Sequence, residues 1–132
     1  MYVGIGVSPH KTPLFSIEKR IELLTRMTKP LGHDIEPVAV IGLTADFVTK
    51  NNIDFLIRGL RSHADLDSEI IMAVMNRKLC DTETVMLIAC EGKVHVSSTM
   101  IRELGKHGKK LANFVPEEIE DEVFDHIFKT FH

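Results

Sequence analysis

The chain has 132 residues, of which 44% are hydrophobic and 27% charged, with a formal net charge of −3. This composition is typical of one soluble globular domain. The mild acidity argues against a broad nucleic-acid-binding face, and the absence of Trp argues against an aromatic platform for bases. The apolar run at residues 1–7 is too short to span a membrane, and Cys80 and Cys90 lack metal-ligand spacing. We therefore expect a cytoplasmic protein with reduced thiols.

Short apolar runs alternate with helical patterns along the chain. Four strands are predicted: Tyr2–Val7, Ile35–Ile41, Ile53–Ile57 and Thr84–Ala89. The first, third and fourth are predicted to be buried, whereas Pro37 favours an edge or first position in the second. Five helices are predicted. The first begins after Ser16, the second lies within Leu43–Asn52, and the third covers a segment whose apolar set is Leu66, Ile70, Ile71, Val74 and Leu79. The fourth begins at the Ser97–Thr99 run, and the fifth has Pro116 at its first helical position. The alternation predicts an α/β fold with a mostly parallel sheet.

Ligands of such sheets bind in loops at the carboxyl ends of the strands. The first such loop is "SPHKTPLF", in which Lys11 lies between two prolines that restrict the backbone. Lys11 is either a contact for a phosphate or carboxylate, or a solvated surface lysine. The roles of His10 in this loop and of His95 in a later loop are left open.

The second loop is "IRGLR". Arg58 and Arg61 are predicted just after a buried strand, and Gly59 lets a ligand approach the backbone closely. Planar guanidinium groups match phosphate, so the pair predicts oxyanion binding. The alternative is a pair of exposed arginines in salt bridges with Asp65, Asp67 or Glu69. Glu69 itself either binds a sugar hydroxyl or pairs with an arginine.

The third loop ends in "VSSTMIREL", where Ser97, Ser98 and Thr99 open a predicted helix. A helix N-terminus carries unpaired N–H groups and a partial positive charge, which favour an anion. Capping alone needs only one of the three hydroxyls. The run of three therefore indicates more than a cap.

Taken together, "SPHKTPLFSIEKRIELL", "IRGLR", "EIIMAVMNRKL", "ETVMLIA" and "VSSTMIRELGKHG…FVPEEIEDEV" resemble the bacterial phosphopantetheine adenylyltransferases. The resemblance covers essentially the whole chain as a single domain, residues 1–132. It implies a Rossmann-like sheet of the nucleotidyltransferase type. It also implies the reaction of ATP with 4′-phosphopantetheine to give dephospho-CoA and pyrophosphate, a step of coenzyme A biosynthesis. Magnesium, a homohexamer and feedback by CoA are implied too, with no nucleic acid or membrane as partner.

The resemblance also implies roles for individual residues. Those implied to contact 4′-phosphopantetheine are Lys11, Thr44 and Arg58. Those implied to contact ATP are Gly59, Leu60, Arg61, Glu69, Lys93, Val94, His95, Val96, Ser97, Ser98 and Thr99. The family has three serines where this chain ends its run with Thr99, which keeps the hydroxyl.

One family feature has no counterpart in this sequence. Family members carry a first strand and a G-x-F-D-P-x-x-x-G-H loop, whose Thr or Ser contacts both substrates and whose His stabilises the transition state. No residue here matches that loop, so no catalytic residue is assignable. In the family, the strand of that unit lies at the sheet centre, between the strands predicted at Tyr2–Val7 and Ile53–Ile57.

Two hypotheses follow. The chain is either an adenylyltransferase sequence without its N-terminal strand–helix unit, with little activity as written, or a non-catalytic relative that binds nucleotide or CoA. In both cases two strand edges lack a partner. We therefore expect the chain as written to be unstable or to aggregate unless its halves pair again.

Overall fold

The computed structural model describes residues 1–7, 12–32 and 34–132. Strands and helices alternate as predicted, which confirms the α/β class. The elements are β1 (Tyr2–Val7), α1 (Ile17–Thr28), β2 (Glu36–Ile41), α2 (Thr44–Lys50), β3 (Phe55–Leu60), α3 (His63–Cys80), β4 (Glu83–Ile88), α4 (Ser98–Lys106) and α5 (Glu120–Phe131). No helix in these described ranges combines the length and apolar character needed to cross a bilayer.

Local sequence signals explain most of the helix ends. Ser16 caps α1, because its Oγ accepts a hydrogen bond from the N–H of Lys19 at 3.2 Å. The turn containing Pro30 ends that helix, as predicted. Pro116 was predicted at the first helical position, but it lies one residue before a short 3₁₀ turn at Glu117–Ile119 that leads into α5. Its φ of −56° and ψ of 140° are those of extended backbone rather than helix.

The strands pair two by two: within the described residues, β1 is hydrogen-bonded to β2 and β3 to β4. The β3–β4 pair is parallel and in register from Phe55↔Glu83 to Leu60↔Ile88. A parallel pair joined by a helix is the βαβ unit that the alternation predicts.

The chain divides into two compact units, which are described separately. The terminal unit comprises Met1–Ala39 and Val96–His132, and the central unit is Val40–His95. In the terminal unit, α1 and α5 enclose a core of Leu23, Leu111, Ile119, Val123 and Ile127. Lys19 and Arg26 of α1 both pair with Glu122 of α5 beside that core.

In the central unit, α3 packs against both β3 and β4. The prediction that β3 and β4 are buried strands is wrong for one of their faces, on which Phe55, Ile57, Val85 and Leu87 are each about half exposed. The same prediction is wrong for most of β1, in which Ile5 is buried but Tyr2 and Val7 are exposed. Side chains alternate between the faces of a strand, and β3 and β4 have only each other as hydrogen-bonded partner among the described residues. The face that carries Leu56 and Thr84 is better covered.

Candidate functional site

Arg58 lies inside β3, not after it. The sequence predicted a strand that ends at Ile57, whereas the ladder continues through Arg58↔Met86 and Gly59↔Leu87 to Leu60. Ala89 N–H then donates to the carbonyl of Leu60 at 2.8 Å. Pairing with β4 outweighs the poor strand preference of glycine. The ladder therefore fixes the direction of the Arg58 side chain, on the same face as Leu56 and Leu60.

The Arg58 guanidinium is held by one carboxylate. Its Nε donates to Oε2 of Glu69 and its Nη2 to Oε1, both at 2.7 Å. This is a bidentate, charge-assisted pair. The Glu69 side chain is 16% exposed and that of Arg58 is 55% exposed. The hydrogen bonds from Arg58 lower the pKa of Glu69, and those to Glu69 raise the pKa of Arg58, so both groups are charged at neutral pH.

Arg61 follows the last residue of β3 and is held in a similar way. Its Nε donates to Oδ2 of Asp65 at 3.2 Å, and its Nη2 is 3.4 Å from Oδ1. The backbone N–H of Arg61 also donates to Oδ2 of Asp65, at 3.2 Å. Hydrogen bonds from the Arg61 side chain are the largest cause of the lowered pKa of Asp65. The salt bridges that formed the alternative interpretation are thus present, and phosphate binding by the two arginines stays a prediction.

The carboxylates reach both arginines because of how α3 lies on the sheet. Its less exposed residues recur at helical spacing along one stripe: Asp65, Leu66, Glu69, Ala73, Asn76 and Cys80. Of the predicted apolar set, Leu66 lies on this stripe, whereas Ile70, Ile71, Val74 and Leu79 lie elsewhere on the helix and are 45–65% exposed. The sequence was searched for a stripe of apolar side chains, so the less exposed stripe of α3, which includes the acids Asp65 and Glu69 near its start, was not predicted.

Asp65 is the residue that sequence reasoning named only as a salt-bridge alternative. It lies three residues after Ser62, the N-cap of α3, and its N–H donates to the Ser62 Oγ at 3.3 Å. The letters "SHAD" at Ser62–Asp65 match the Ser-x-x-acid pattern of a capping box. In a capping box, the acid reaches back to a backbone N–H; here it reaches that of Arg61. This pattern is the signal by which Asp65 could have been found.

Gly59 leaves open space beside the strand end. A Cβ added there would have no heavy atom within 4 Å. The close approach of a ligand to the backbone at this residue stays a prediction. Leu60, the next residue, is half-buried on the side of the sheet that carries Arg58.

Two other predicted groups lie in the central unit. Thr44 is the first residue of α2 and is half-buried, after a loop in which Gly42 has a φ of 82°. In the described part of the chain, its hydroxyl makes no hydrogen bond. Lys93, Val94 and His95 are exposed in a turn, where the N–H groups of Lys93 and Val94 both donate to the Cys90 carbonyl at 2.9 and 3.2 Å.

Ser97, Ser98 and Thr99 lie in the terminal unit with Val96. Ser97 caps α4 by accepting a hydrogen bond from the N–H of Met100 at 3.2 Å. Ser98 and Thr99 are the first two residues of α4 and are exposed, and their hydroxyls make no hydrogen bond within the described residues. One hydroxyl therefore suffices for the cap, and two point to solvent.

The remaining predictions concern Lys11 and metal binding. Lys11 and His10 lie outside the described residues, so their roles stay predictions. Among residues 1–7, 12–32 and 34–132, no three His, Cys, Asp or Glu side chains converge as metal ligands would.

The chain matches known proteins both as a family and as individual relatives. A cytidylyltransferase-like family model matches residues 1–104. A phosphopantetheine adenylyltransferase from Clostridium tetani (strain Massachusetts / E88) is 38% identical over 122 residues, which is 92% of this chain and 76% of that protein. The family match takes in all the site residues predicted from the sequence, from Lys11 to Thr99.

Proposed function

Because the chain belongs to the cytidylyltransferase-like family and, within it, to the phosphopantetheine adenylyltransferases, we propose that it transfers AMP from ATP to 4′-phosphopantetheine. The products are dephospho-CoA and pyrophosphate, in coenzyme A biosynthesis. The observation that carries the proposal is the pair of guanidiniums of Arg58, within β3, and Arg61, directly after it, in a chain 38% identical to a named adenylyltransferase.

The reaction requires groups that bind anions and does not require a nucleophilic side chain. The phosphate of 4′-phosphopantetheine attacks the α-phosphorus of ATP in line. The bond to the bridging oxygen breaks, and pyrophosphate leaves with the electron pair. Catalysis of this kind rests on positioning and on stabilising negative charge. Arg58 and Arg61 supply two guanidinium groups whose orientation is fixed by hydrogen bonds to acidic side chains.

Within the central unit, we assign Arg58 and Thr44 to 4′-phosphopantetheine, and Gly59, Leu60 and Arg61 to ATP. Arg58 uses its Nε and Nη2 for Glu69, which leaves the Nη1 side of the guanidinium for a phosphate. The open space at Gly59 supports a close approach of the nucleotide. Lys93, Val94 and His95 are exposed and accessible to the same ligand.

Magnesium fits this proposal as an ion bound to ATP. The carboxylates nearest the two arginines, Asp65 and Glu69, already accept hydrogen bonds from them. Triphosphate oxygens and water are ligands that Mg²⁺ prefers. When bound, the ion would offset negative charge on the phosphates.

Self-association is a further part of the proposal, with the hexamer as the state that the resemblance implies. α3 exposes several large apolar side chains: Ile70, Ile71, Met72, Val74, Met75 and Leu79. An exposed apolar surface of this kind is typical of an interface. The free thiols Cys80 and Cys90 fit a reducing compartment such as the cytoplasm.

A second candidate function is nucleotide or CoA binding without turnover. It would use the same cationic side chains, Arg58 and Arg61, to hold phosphates without the chemical step. Calorimetric titration with ATP and with CoA, run beside an assay for pyrophosphate release, separates the candidates. Release that requires both substrates supports the transferase, whereas binding without release supports the second candidate. An Arg58→Ala variant tests whether the β3 site is responsible in either case.

A further inference from the structure

Asp65 makes three contacts with a single residue, Arg61, and these contacts are different in kind. One oxygen, Oδ2, accepts from the backbone N–H of Arg61 and from its Nε, both at 3.2 Å. The other, Oδ1, lies 3.4 Å from Nη2. The Asp65 carboxylate therefore bridges the guanidinium and the backbone N–H of Arg61, directly after the end of β3.

The position of Asp65 is itself fixed. It lies in the first turn of α3, and its N–H donates to the Oγ of Ser62. Its side chain is 29% exposed, against 44% for that of Arg61. The helix start and its cap thus fix the position of the Asp65 carboxylate. Arg61 is the more accessible member of the pair.

From this geometry we propose that Asp65 is a positioning residue, which holds the Arg61 guanidinium in the direction needed to contact the phosphates of ATP. The proposal rests on the proposed function, because it takes ATP as the ligand of Arg61. A long arginine side chain loses rotamer freedom when it binds a phosphate, and a side chain already held loses less. Asp65 acts only through Arg61 and makes no contact with the nucleotide.

A matched set of variants separates this role from simple support of the helix. Asp65→Asn keeps an oxygen that accepts from the Arg61 backbone N–H but removes the charge that holds the guanidinium. Ser62→Ala removes the other hydrogen bond of the same helix start and leaves the Arg61 contacts in place. Arg61→Ala removes the group on which Asp65 is proposed to act.

The first measurement is the NMR signal of the Arg61 Nε–H in the free protein. A held guanidinium gives a resolved signal that is protected from exchange with solvent. We expect this signal in the unsubstituted chain and in Ser62→Ala, and its loss in Asp65→Asn. A signal that persists in Asp65→Asn would show that the carboxylate does not hold the side chain, and would overturn the proposal.

The second measurement is the affinity for ATP, by calorimetry. Loss of a charge-assisted hydrogen bond predicts an about tenfold weaker binding for Asp65→Asn. The same change made in the Arg61→Ala background is expected to alter affinity by less than about twofold, because coupled residues are not additive. Ser62→Ala is expected to lower the melting temperature but to leave the affinity within about twofold of the unsubstituted chain.

Each other result counts against the proposal. Equal losses in the two backgrounds would show that Asp65 acts independently of Arg61, and tighter binding by Asp65→Asn would show that the carboxylate competes with phosphate. A tenfold loss of ATP affinity in Ser62→Ala would show that Asp65 acts only by supporting the start of the helix. An unsubstituted chain that binds no ATP would overturn the proposed function, and the role of Asp65 with it.

Discussion

Glu69 has both of its carboxylate oxygens 2.7 Å from nitrogens of one residue, Arg58. The pair joins the middle of β3 to the second turn of α3, and the acid is the less exposed partner. One turn nearer the start of α3, Asp65 makes the corresponding contacts with Arg61. Two arginines, one within β3 and one directly after it, are thus held by two acids of one helix.

Replacing Glu69 by Gln should lower stability near neutral pH. Because the pKa of Glu69 is lowered from its usual 4.5 in the folded chain, its ion pair stabilises the fold above that pH, and the contribution is lost as pH falls through the folded pKa. We expect Glu69→Gln to cost about 1 kcal/mol at pH 7, a modest value since Arg58 is more than half exposed.

The measurement is the free energy of unfolding of both proteins from pH 7 down to pH 3. The difference between them should shrink below pH 4.5, the usual pKa of this carboxyl. An equal difference at all pH values would show that the charge of Glu69 contributes nothing to stability.

Replacing Gly59 by Ala should separate ligand binding from folding. An added Cβ meets no heavy atom within 4 Å, so we expect stability to change by less than about 0.5 kcal/mol. If the nucleotide approaches the backbone there, ATP affinity should fall about tenfold or more because the methyl group occupies its place. Thermal melting and calorimetry of the same preparation give both values. Unchanged affinity would remove Gly59 from the proposed ATP site.

Replacing Gly105 by Ala should destabilise the terminal unit. An added Cβ would lie 2.7 Å from Cγ2 of Ile127, a side chain with no exposed surface. Overpacking of this kind costs about 1–3 kcal/mol. Gly6→Ala is the matched control in the same unit, since its Cβ would meet nothing within 4 Å. Denaturant unfolding of the two variants tests the difference, and equal stabilities would contradict the close packing of α4 on α5.

The three hydroxyls at the start of α4 should divide between capping and binding. Ser97→Ala should lower stability by about 1 kcal/mol, because Ser97 accepts from the N–H of Met100. Ser98→Ala and Thr99→Val should leave stability within about 0.5 kcal/mol, since both residues are exposed. The prediction that these hydroxyls contact ATP requires a loss of ATP affinity in these two variants. Retained affinity would leave Ser97 as a cap and the other two without a role.

The sequence was sufficient to predict the class of fold and most element positions. β1 occupies the predicted residues, and Ser16, Pro30 and Ser97 mark helix ends where local chemistry requires them. These features depend on hydrogen bonds and backbone restrictions within a few residues, which a local pattern contains.

The features that the sequence did not predict depend on contacts between distant residues. β3 extends to Leu60 because β4 supplies ladder partners as far as Ile88. α3 turns Asp65 and Glu69 toward the sheet because Arg58 and Arg61 meet them there, whereas periodicity alone favoured its apolar residues. The salt-bridge partners were named as alternatives, but the choice among three acids required the geometry.

Pyrophosphate release, measured with ATP, Mg²⁺ and 4′-phosphopantetheine, tests the central claim most directly. The account predicts release that requires both substrates, at a low rate for the 132 residues as written. In Arg58→Ala, release should be at least about tenfold slower again at subsaturating 4′-phosphopantetheine, because that variant loses a charge-assisted contact to the phosphate. Binding of ATP with no release above the uncatalysed background, or release that Arg58→Ala leaves unchanged, would contradict the claim that the arginines at the end of β3 serve adenylyl transfer.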